Sequence, residues 1–118
     1  NANPTSDCAA IDSLASLPGR RVCILGDMLE MGGNAPELHR SVGEYAVTHG
    51  VDLVMTQGEL AGRIAEGAGA TGVHFTDRAE LLEALPRLLR PGDVVLVKAS
   101  HGAHFEEISE AVKRITGE

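Results

Sequence analysis

Short apolar runs alternate along this chain with amphipathic segments of helical length, and this alternation constrains the fold more than any other feature. The apolar runs lie at residues 21–25, 52–56, 72–75 and 93–97. Continuous apolar runs of this kind are typical of parallel strands that are covered on both faces. Strands that alternate with helices pair in parallel through right-handed crossovers. The sequence therefore predicts an α/β, Rossmann-like domain of three layers with a mostly parallel sheet.

Five segments fit the helices before, between and after these strands. They combine apolar residues at helical spacing with residues that start or stop helices, and they lie at residues 5–19, 34–50, 59–69, 77–92 and 104–116. Thr5 or Ser6 is expected to cap the first of these helices, and Asp77 the fourth. With 118 residues, the chain has the size of one domain, which is expected to span 1–118.

The order of the strands determines where a ligand could bind. The most apolar strands, 21–25 and 93–97, are expected side by side at the centre, which gives the order third, second, first, fourth (3-2-1-4). In open parallel sheets, ligands bind beyond the carboxyl ends of the strands, at the point where strand order reverses. Two loops flank that point, GDMLEMGG at 26–33 and KASHGAH at 98–104.

Each polar residue in these two loops has a structural interpretation beside the functional one. Asp27 and Glu30 suit ribose hydroxyls or a metal, and the alternative is a helix cap or a solvated acid. Lys98 suits a carboxylate or a phosphate, and the alternative is a lysine that extends from the strand end into solvent. Ser100 either contacts a ligand or caps the last helix.

The sequence does not predict a metal site. His101 and His104 are three residues apart, but no third ligand lies near them in the sequence. Cys8 and Cys23 match no zinc or redox spacing and are expected to be reduced, packed thiols. The loop after the first strand is not GxGxxG, and neither GxxxxGKS nor GxxxxGKT occurs, so no P-loop is predicted.

The charge and the termini limit the classes of protein to consider. A formal net charge of −7 at pH 7 argues against a broad surface for nucleic acid or for membranes. No apolar run approaches the roughly 20 residues of a membrane helix, and no signal-peptide pattern occurs. The chain begins with Asn and with a helix, which we interpret as an excised part of a longer protein whose preceding strand or domain is absent.

Several motifs together resemble the C-terminal domain of the Mur ligase family. The matching stretches follow the order and spacing of that family and cover essentially the whole chain: NANPTS at 1–6, LGDMLEMG at 25–32, His39 followed by VGEYA at 42–46, and GDVVLVKAS at 92–100. The chain departs from the family after the last strand. The family usually has a sequence similar to lysine-glycine-serine-arginine, whereas this chain has alanine at 99 and histidine at 101.

The resemblance implies one domain of a bacterial, cytoplasmic ligase that uses ATP and Mg²⁺. Domains for the UDP-sugar and for the ATP phosphates would lie outside this chain. The implied reaction joins D-alanyl-D-alanine to UDP-N-acetylmuramoyl tripeptide through an acyl phosphate, in peptidoglycan synthesis. By the same resemblance, Asn1, Asn3 and Asp27 face the nucleotide, and Lys98 and Ser100 face the dipeptide. The chain by itself is expected to fold, to hold no cofactor, to contain no catalytic residue and to be inactive.

Two other classes remain open from the residues alone. A receiver domain of two-component signalling is also acidic, alternates strands with helices and ends its last strand on a lysine. It needs paired acids after the first strand and an aspartate that ends a central strand, and the second and third strands here end in MTQG and HFTD. A stand-alone α/β module that binds a small molecule is the other alternative.

Overall fold

Strands and helices alternate along the whole chain in a computed structural model, which describes residues 3–29, 32–100 and 105–117. The strands are β1 (Arg21–Leu25), β2 (Leu53–Gln57), β3 (Gly72–Phe75) and β4 (Val94–Lys98). The helices are α1 (Pro4–Ala15), α2 (Ala35–Thr48), α3 (Gly62–Ala68), α4 (Arg78–Leu88) and α5 (Glu106–Thr116). Within the described ranges, no helix has the combination of length and apolar character needed to cross a membrane.

The four strands form one parallel sheet in the order β3-β2-β1-β4. Leu25, the last residue of β1, pairs with Thr56 of β2 and with Lys98 of β4. The predicted fold class and strand order are therefore confirmed. One detail of the expectation was wrong, because β4 lies beside β1 but at the outer edge of this four-stranded sheet and not at its centre.

Helices cover both faces of the sheet, which produces two apolar cores. Successive residues of a strand point to opposite faces, so Cys23 and Leu25 enter one core, whereas Val22 and Ile24 enter the other. The core beneath α1, α2 and α3 includes Ile11, Val42, Val54 and Ile64. The core beneath α4 and α5 includes Met55, Leu81, Leu85 and Ile108. These are the three layers that the apolar runs predict.

The first helix begins earlier than the sequence suggested. Asn3 is its N-cap: its Oδ1 accepts a hydrogen bond from the backbone N–H of Ser6 at 2.8 Å, and the Ser6 Oγ accepts from the Asn3 N–H at 3.3 Å. The prediction of Thr5 or Ser6 as the cap was wrong because Pro4, whose fixed φ suits a first helical position, starts the helix. For α4 the predicted cap is confirmed, since Asp77 accepts from the Glu80 N–H at 2.8 Å.

Glycines allow α2 and α3 to pack with their backbones in contact. A Cβ at Gly43 would collide with the carbonyl oxygen of Ile64, and a Cβ at Gly67 with that of Arg40. Residues 67–72 happen to have GxGxxG spacing, but they lead from α3 into β3 and do not follow a strand into a helix. Gly43 and Gly67 therefore serve the packing of α2 on α3.

Candidate functional site

The loops that follow β1 and β4 run side by side beyond the carboxyl edge of the sheet. The Gly26 N–H donates to the Lys98 carbonyl at 2.9 Å, and the Ser100 N–H donates to the Asp27 carbonyl at 3.2 Å. Gly26 permits this approach, because a Cβ there would lie 2.7 Å from the Cβ of Ala99. The structure thus brings Asp27, Lys98 and Ser100 together, as their positions after neighbouring parallel strands predict.

Asp27 is half-buried and holds the loop between β2 and α3. Its Oδ1 accepts hydrogen bonds from the backbone N–H groups of Leu60, at 2.9 Å, and Ala61, at 2.7 Å. These N–H groups lie just before α3, so Asp27 caps that helix from another part of the chain. Both bonds end on Oδ1, and no described residue donates to Oδ2. The carboxylate therefore has a structural role and one oxygen that remains available to a ligand.

Ser100 is used differently from the cap that the sequence suggested. Its Oγ donates to the Asp27 carbonyl at 2.8 Å, which doubles the bond made by its own backbone N–H. The last helix begins at Glu106 with Phe105 as its N-cap and no side-chain cap bond. The expectation that Ser100 caps this helix is therefore wrong, because the chain continues for several residues before the helix starts. The hydroxyl oxygen keeps lone pairs with which it can accept.

Lys98 lies against a carboxylate that sequence reasoning missed. Its Nζ is 3.8 Å from Oδ1 of Asp7, in the first turn of α1, and the two side chains are 20% and 0% exposed. Burial raises the pKa of Asp7 to about 6, and the positive charge of Lys98 opposes part of that rise. A signal was present in the sequence. Asp7 precedes the buried Ile11 and Leu14 by four and seven residues, the spacing of one helical face.

The first loop is also held by a buried histidine. His39, on α2, accepts at Nε2 from the Met28 N–H at 2.9 Å, and its Nδ1 lies 2.6 Å from the Ala35 carbonyl oxygen. The carbonyl can only accept, so Nδ1 carries the proton and Nε2 is the acceptor. His39 is fully buried. It therefore fixes the loop just after Asp27, which agrees with a structural role for this histidine.

A small cavity of about 270 Å³ opens at the carboxyl end of β4. Its lining combines the end of the strand with the start of α5: Val97, Lys98, Ala99, Ser100, Phe105, Glu106 and Ser109. A larger cavity of about 520 Å³ lies between α4 and α5 and is lined by residues such as Leu82, Pro86 and Arg114. We assign the site to the smaller one, because it adjoins the loops at the strand ends, where ligands bind in parallel sheets.

The remaining expectations concern metal ligands, thiols and the first residues. Among the described residues, no group of three or more His, Cys, Asp or Glu side chains is placed to hold a metal ion. Burial raises the pKa of the Cys23 thiol to about 12, and burial also raises the pKa of Cys8. Asn3 uses its Oδ1 in the cap of α1. Four of the candidate residues lie outside the described ranges: Asn1, Glu30, His101 and His104.

Comparison with known proteins agrees with this geometry. Residues 1–101 match the family model described as Mur ligase, glutamate ligase domain. The chain is 38% identical over 115 residues to the UDP-N-acetylmuramoyl-tripeptide–D-alanyl-D-alanine ligase of Escherichia coli, and 39% identical over 115 residues to that of Bacillus subtilis. These alignments cover 96% and 92% of the chain, but 25% of each relative.

Solved structures show the same relationship. The MurF ligase of Thermotoga maritima in complex with ADP matches 99% of this chain at a TM-score of 0.77 and 27% identity. A structure of MurF from Acinetobacter baumannii matches 97% of the chain at a TM-score of 0.86 and 29% identity. The matched part is 27% and 26% of those chains. The chain thus spans about a quarter of the length of the proteins it resembles.

Proposed function

This chain belongs to the Mur ligase family, and on that premise we propose that it is the C-terminal domain of an ATP-dependent ligase that joins D-alanyl-D-alanine to UDP-N-acetylmuramoyl tripeptide. Relatives that match more than nine-tenths of the chain are named for this reaction. The observation that carries the proposal is the meeting of Asp27, Lys98 and Ser100 at the ends of two adjacent parallel strands. The domains for the UDP-sugar and the ATP phosphates would lie outside these 118 residues.

On the dipeptide side of the site, Lys98 and Ser100 would bind the carboxylate. A carboxylate requires a cation and hydrogen-bond donors, and bonds between charged groups are the strong ones. The Lys98 side chain is 20% exposed, so its ammonium group is partly desolvated and partly open to solvent, and the residue also lines the cavity at the end of β4. Ser100 would turn its hydroxyl from the Asp27 carbonyl to donate to the carboxylate, while its N–H would keep its bond to that carbonyl. This arrangement would leave the amine of the dipeptide directed toward the rest of the enzyme.

On the nucleotide side, Asp27 and Asn3 would contact ATP, together with Asn1. Oδ2 of Asp27 suits a ribose hydroxyl, because Oδ1 already accepts both backbone bonds. The Asn3 amide uses its oxygen in the helix cap, so its NH₂ group can donate to a ligand. These roles are compatible with the structural ones, since each side chain would use one end for the fold and the other for the nucleotide.

The reaction itself would take place largely on the other domains. ATP would phosphorylate the carboxylate of the tripeptide, and the dipeptide amine would then displace phosphate. The described residues do not offer a carboxylate set suited to Mg²⁺, so the metal would be held by residues of the other domains. What this domain would contribute is orientation of the amine and closure over the site. Closure excludes water, which would otherwise hydrolyse the acyl phosphate.

The proposal is tested by amide formation in the complete ligase. Purified enzyme is given ATP, Mg²⁺ and UDP-N-acetylmuramoyl tripeptide, with D-alanyl-D-alanine or with single amino acids, and phosphate release and product mass are measured. We expect turnover with the dipeptide and not with single amino acids. Turnover that requires a single amino acid would assign the chain to another reaction of the family.

The role of Lys98 has its own matched control, because Lys98 and Lys113 are the two lysines of the chain. Loss of one charge-assisted bond in Lys98→Ala should raise the KM for the dipeptide about ten- to a hundredfold, with the KM for ATP little changed. Lys113→Ala, on the exposed surface of α5, should change neither constant. An unchanged dipeptide KM in Lys98→Ala would refute its role.

The isolated chain provides a further check on which steps of the reaction belong to this domain. We expect residues 1–118 to fold alone, because amphipathic helices cover both faces of an aliphatic sheet. We also expect the chain alone not to release phosphate from ATP, since phosphoryl transfer requires phosphate-binding and metal-binding parts that we assign to another domain. Phosphate release above that of a boiled control would show that this domain carries chemistry of its own.

A further inference from the structure

Asp7 occupies a position where a carboxylate is costly. It lies in the first turn of α1 with its side chain fully buried, on the same helix face as Ile11 and Leu14. Neither of its oxygens accepts a hydrogen bond within the described part of the chain. A buried carboxylate loses hydration that an ion pair restores only in part. The fold by itself would be better served by an apolar residue at this position.

The helix does not need Asp7 for its start. The first N–H groups of α1 are served by Asn3 and Ser6, which form a reciprocal capping box. An acid in the first turn interacts favourably with the helix dipole, but this effect is small and an exposed side chain provides it as well. The burial of Asp7 therefore points to a task other than capping.

The group that Asp7 approaches is the Lys98 ammonium. The separation of 3.8 Å between Nζ and Oδ1 is that of an ion pair and is longer than an ordinary hydrogen bond. Lysine carries its charge on a flexible four-carbon stem with many rotamers. A fixed negative charge beside the ammonium restricts where that charge resides, while 20% of the Lys98 side chain stays exposed.

We propose that Asp7 is a positioning residue, which holds the Lys98 ammonium at the carboxyl end of β4 in the direction of the dipeptide carboxylate. This inference rests on the proposed function of Lys98, and it adds the residue that would prepare the site before the substrate arrives. An ammonium that is already in place loses less conformational freedom on binding, which increases affinity without any new contact. Asp7 would therefore affect the KM for the dipeptide and not the chemical step.

The surroundings of Asp7 make this role dependent on pH. Burial raises the pKa of Asp7 to about 6, against the lowering effect of Lys98 on β4. The Cys8 thiol on α1 and the Cys23 thiol on β1 also interact with Asp7, and burial raises both their pKa values. On α2, His39 is bonded to backbone groups of Met28 and Ala35. Asp7 would hold Lys98 above pH 6 and would release it as it becomes protonated below.

The kinetic test uses the complete ligase at pH 8 and at pH 5.5. At pH 8, Asp7→Asn should raise the KM for the dipeptide about fivefold and leave kcat and the KM for ATP within about twofold. At pH 5.5 the ratio of variant to parent KM should fall to about two, because about three-quarters of the parent Asp7 carboxyl is then protonated and as neutral as asparagine. Because both KM values are measured at the same pH, any titration of the dipeptide affects them equally and cancels in the ratio. Asp12→Asn, on the same helix but exposed, is the matched control and should change neither the KM nor its pH profile.

Comparison with Lys98→Ala separates failure of this inference from failure of the proposed function. If Lys98→Ala leaves the dipeptide KM unchanged, the proposed role of Lys98 itself is wrong. If Lys98→Ala raises that KM but Asp7→Asn lowers it, leaves it unchanged or changes it equally at both pH values, only the role of Asp7 is wrong. The double variant should equal Lys98→Ala alone. If the dipeptide KM of the double variant instead rises by the product of the two single increases, Asp7 acts independently of Lys98.

A spectroscopic measurement keeps the inference testable even if Asp7→Asn folds poorly. The 118-residue chain has two lysines, so reductive methylation with ¹³C-formaldehyde should give two lysine signals, which Lys113→Arg assigns. The Lys98 signal should shift with an inflection near pH 6, as the neighbouring carboxylate titrates, and the Lys113 signal should not. A Lys98 signal that is flat between pH 5 and 7 would overturn the proposal.

Discussion

Asp7, in α1, lies near the end of β4, and Asp27 follows the end of β1 at the same edge of the sheet. The two carboxylates differ in how many hydrogen bonds their oxygens accept. Asp27 is half-buried and accepts two backbone hydrogen bonds at 2.9 and 2.7 Å. Asp7 is fully buried, and within the described ranges its oxygens accept none. A carboxylate with backbone donors stabilises the fold, whereas a buried carboxylate beside one ammonium costs stability unless its geometry compensates.

This difference suggests how the domain divides its acids between structure and function. Asp27 would tie the β1 loop to α3 and would offer its second oxygen to the nucleotide. Asp7 would weaken the fold in order to hold a lysine in place. The four measurements that follow test the contrast, from the largest expected effect to the smallest.

The largest effect should be the dependence of stability on pH through Asp7. Its pKa is about 6 in the folded chain, above the ordinary value of 3.8 for an aspartate, so the folded state binds the proton more tightly than the unfolded state does. The stability that this proton provides is present below pH 4 and is lost as the pH rises through 6. The loss should reach about 3 kcal/mol.

Urea unfolding of the chain between pH 4 and 8 measures this loss. The difference in unfolding free energy between Asp7→Asn and the parent should increase in favour of the variant as the pH rises from 4 to 6, because asparagine has no carboxyl group to ionise. Asp12→Asn should show no such trend. A constant difference across this range would mean that Asp7 titrates normally and that its burial is not costly.

The second effect is the loss of the Asp27 cap. Asp27→Ala leaves the N–H groups of Leu60 and Ala61 without their acceptor, and we expect the unfolding free energy to fall by about 2 kcal/mol. Asp77→Ala provides a comparison, since that exposed cap accepts one N–H bond, from Glu80. Equal losses in the two variants would show that the half-buried cap of α3 is not the stronger one.

The third effect distinguishes the two roles of Asp27. Asp27→Asn keeps an oxygen that can accept the two backbone bonds, but it removes the negative charge that would face the ribose. In the complete ligase we expect the KM for ATP to rise about fivefold, with thermal unfolding of the domain little changed. If the variant loses thermal stability and keeps its KM for ATP, Asp27 acts only as a helix cap.

The smallest effect should come from the hydroxyl that joins the two loops. Ser100→Ala removes the Oγ bond to the Asp27 carbonyl at 2.8 Å, whereas the backbone N–H bond at 3.2 Å remains. We expect a loss of about 1 kcal/mol or less in unfolding free energy. The KM for the dipeptide is measured in the same variant. If it rises by more than this loss of stability explains, the hydroxyl also contacts the substrate.

The sequence was most informative about features that depend on local periodicity. The apolar runs at 21–25 and 72–75 match β1 and β3 residue for residue, and the other two strands are shifted by one residue. The strand order and the meeting of Asp27, Lys98 and Ser100 followed from the rule that parallel strands end at one edge. The cap at Asp77 was predicted because a cap and the N–H groups it serves are neighbours in the chain.

The errors concern bonds between residues that are distant in sequence. Ser100 donates to Asp27, 73 residues away, and Asp27 accepts from Leu60 and Ala61, 33 and 34 residues away. A local pattern can show that a serine or an aspartate suits a helix start, but it cannot show which helix. The prediction of the N-cap of α1 was wrong for a local reason, because it did not include the preference of Pro4 for the first helical turn.

By itself, the amino-acid sequence determined the set of elements, their order and the edge at which a ligand would bind. The reason is that the periods of strands and helices depend on residues that are neighbours in the chain. What only the tertiary structure decided is the partner of each polar group. Asp7 and Lys98 lie at opposite ends of the chain, and their charges come within 3.8 Å because α1 packs across the face of β4. Coulomb energy depends on distance in space and on exclusion of water, and neither can be read from positions along a chain.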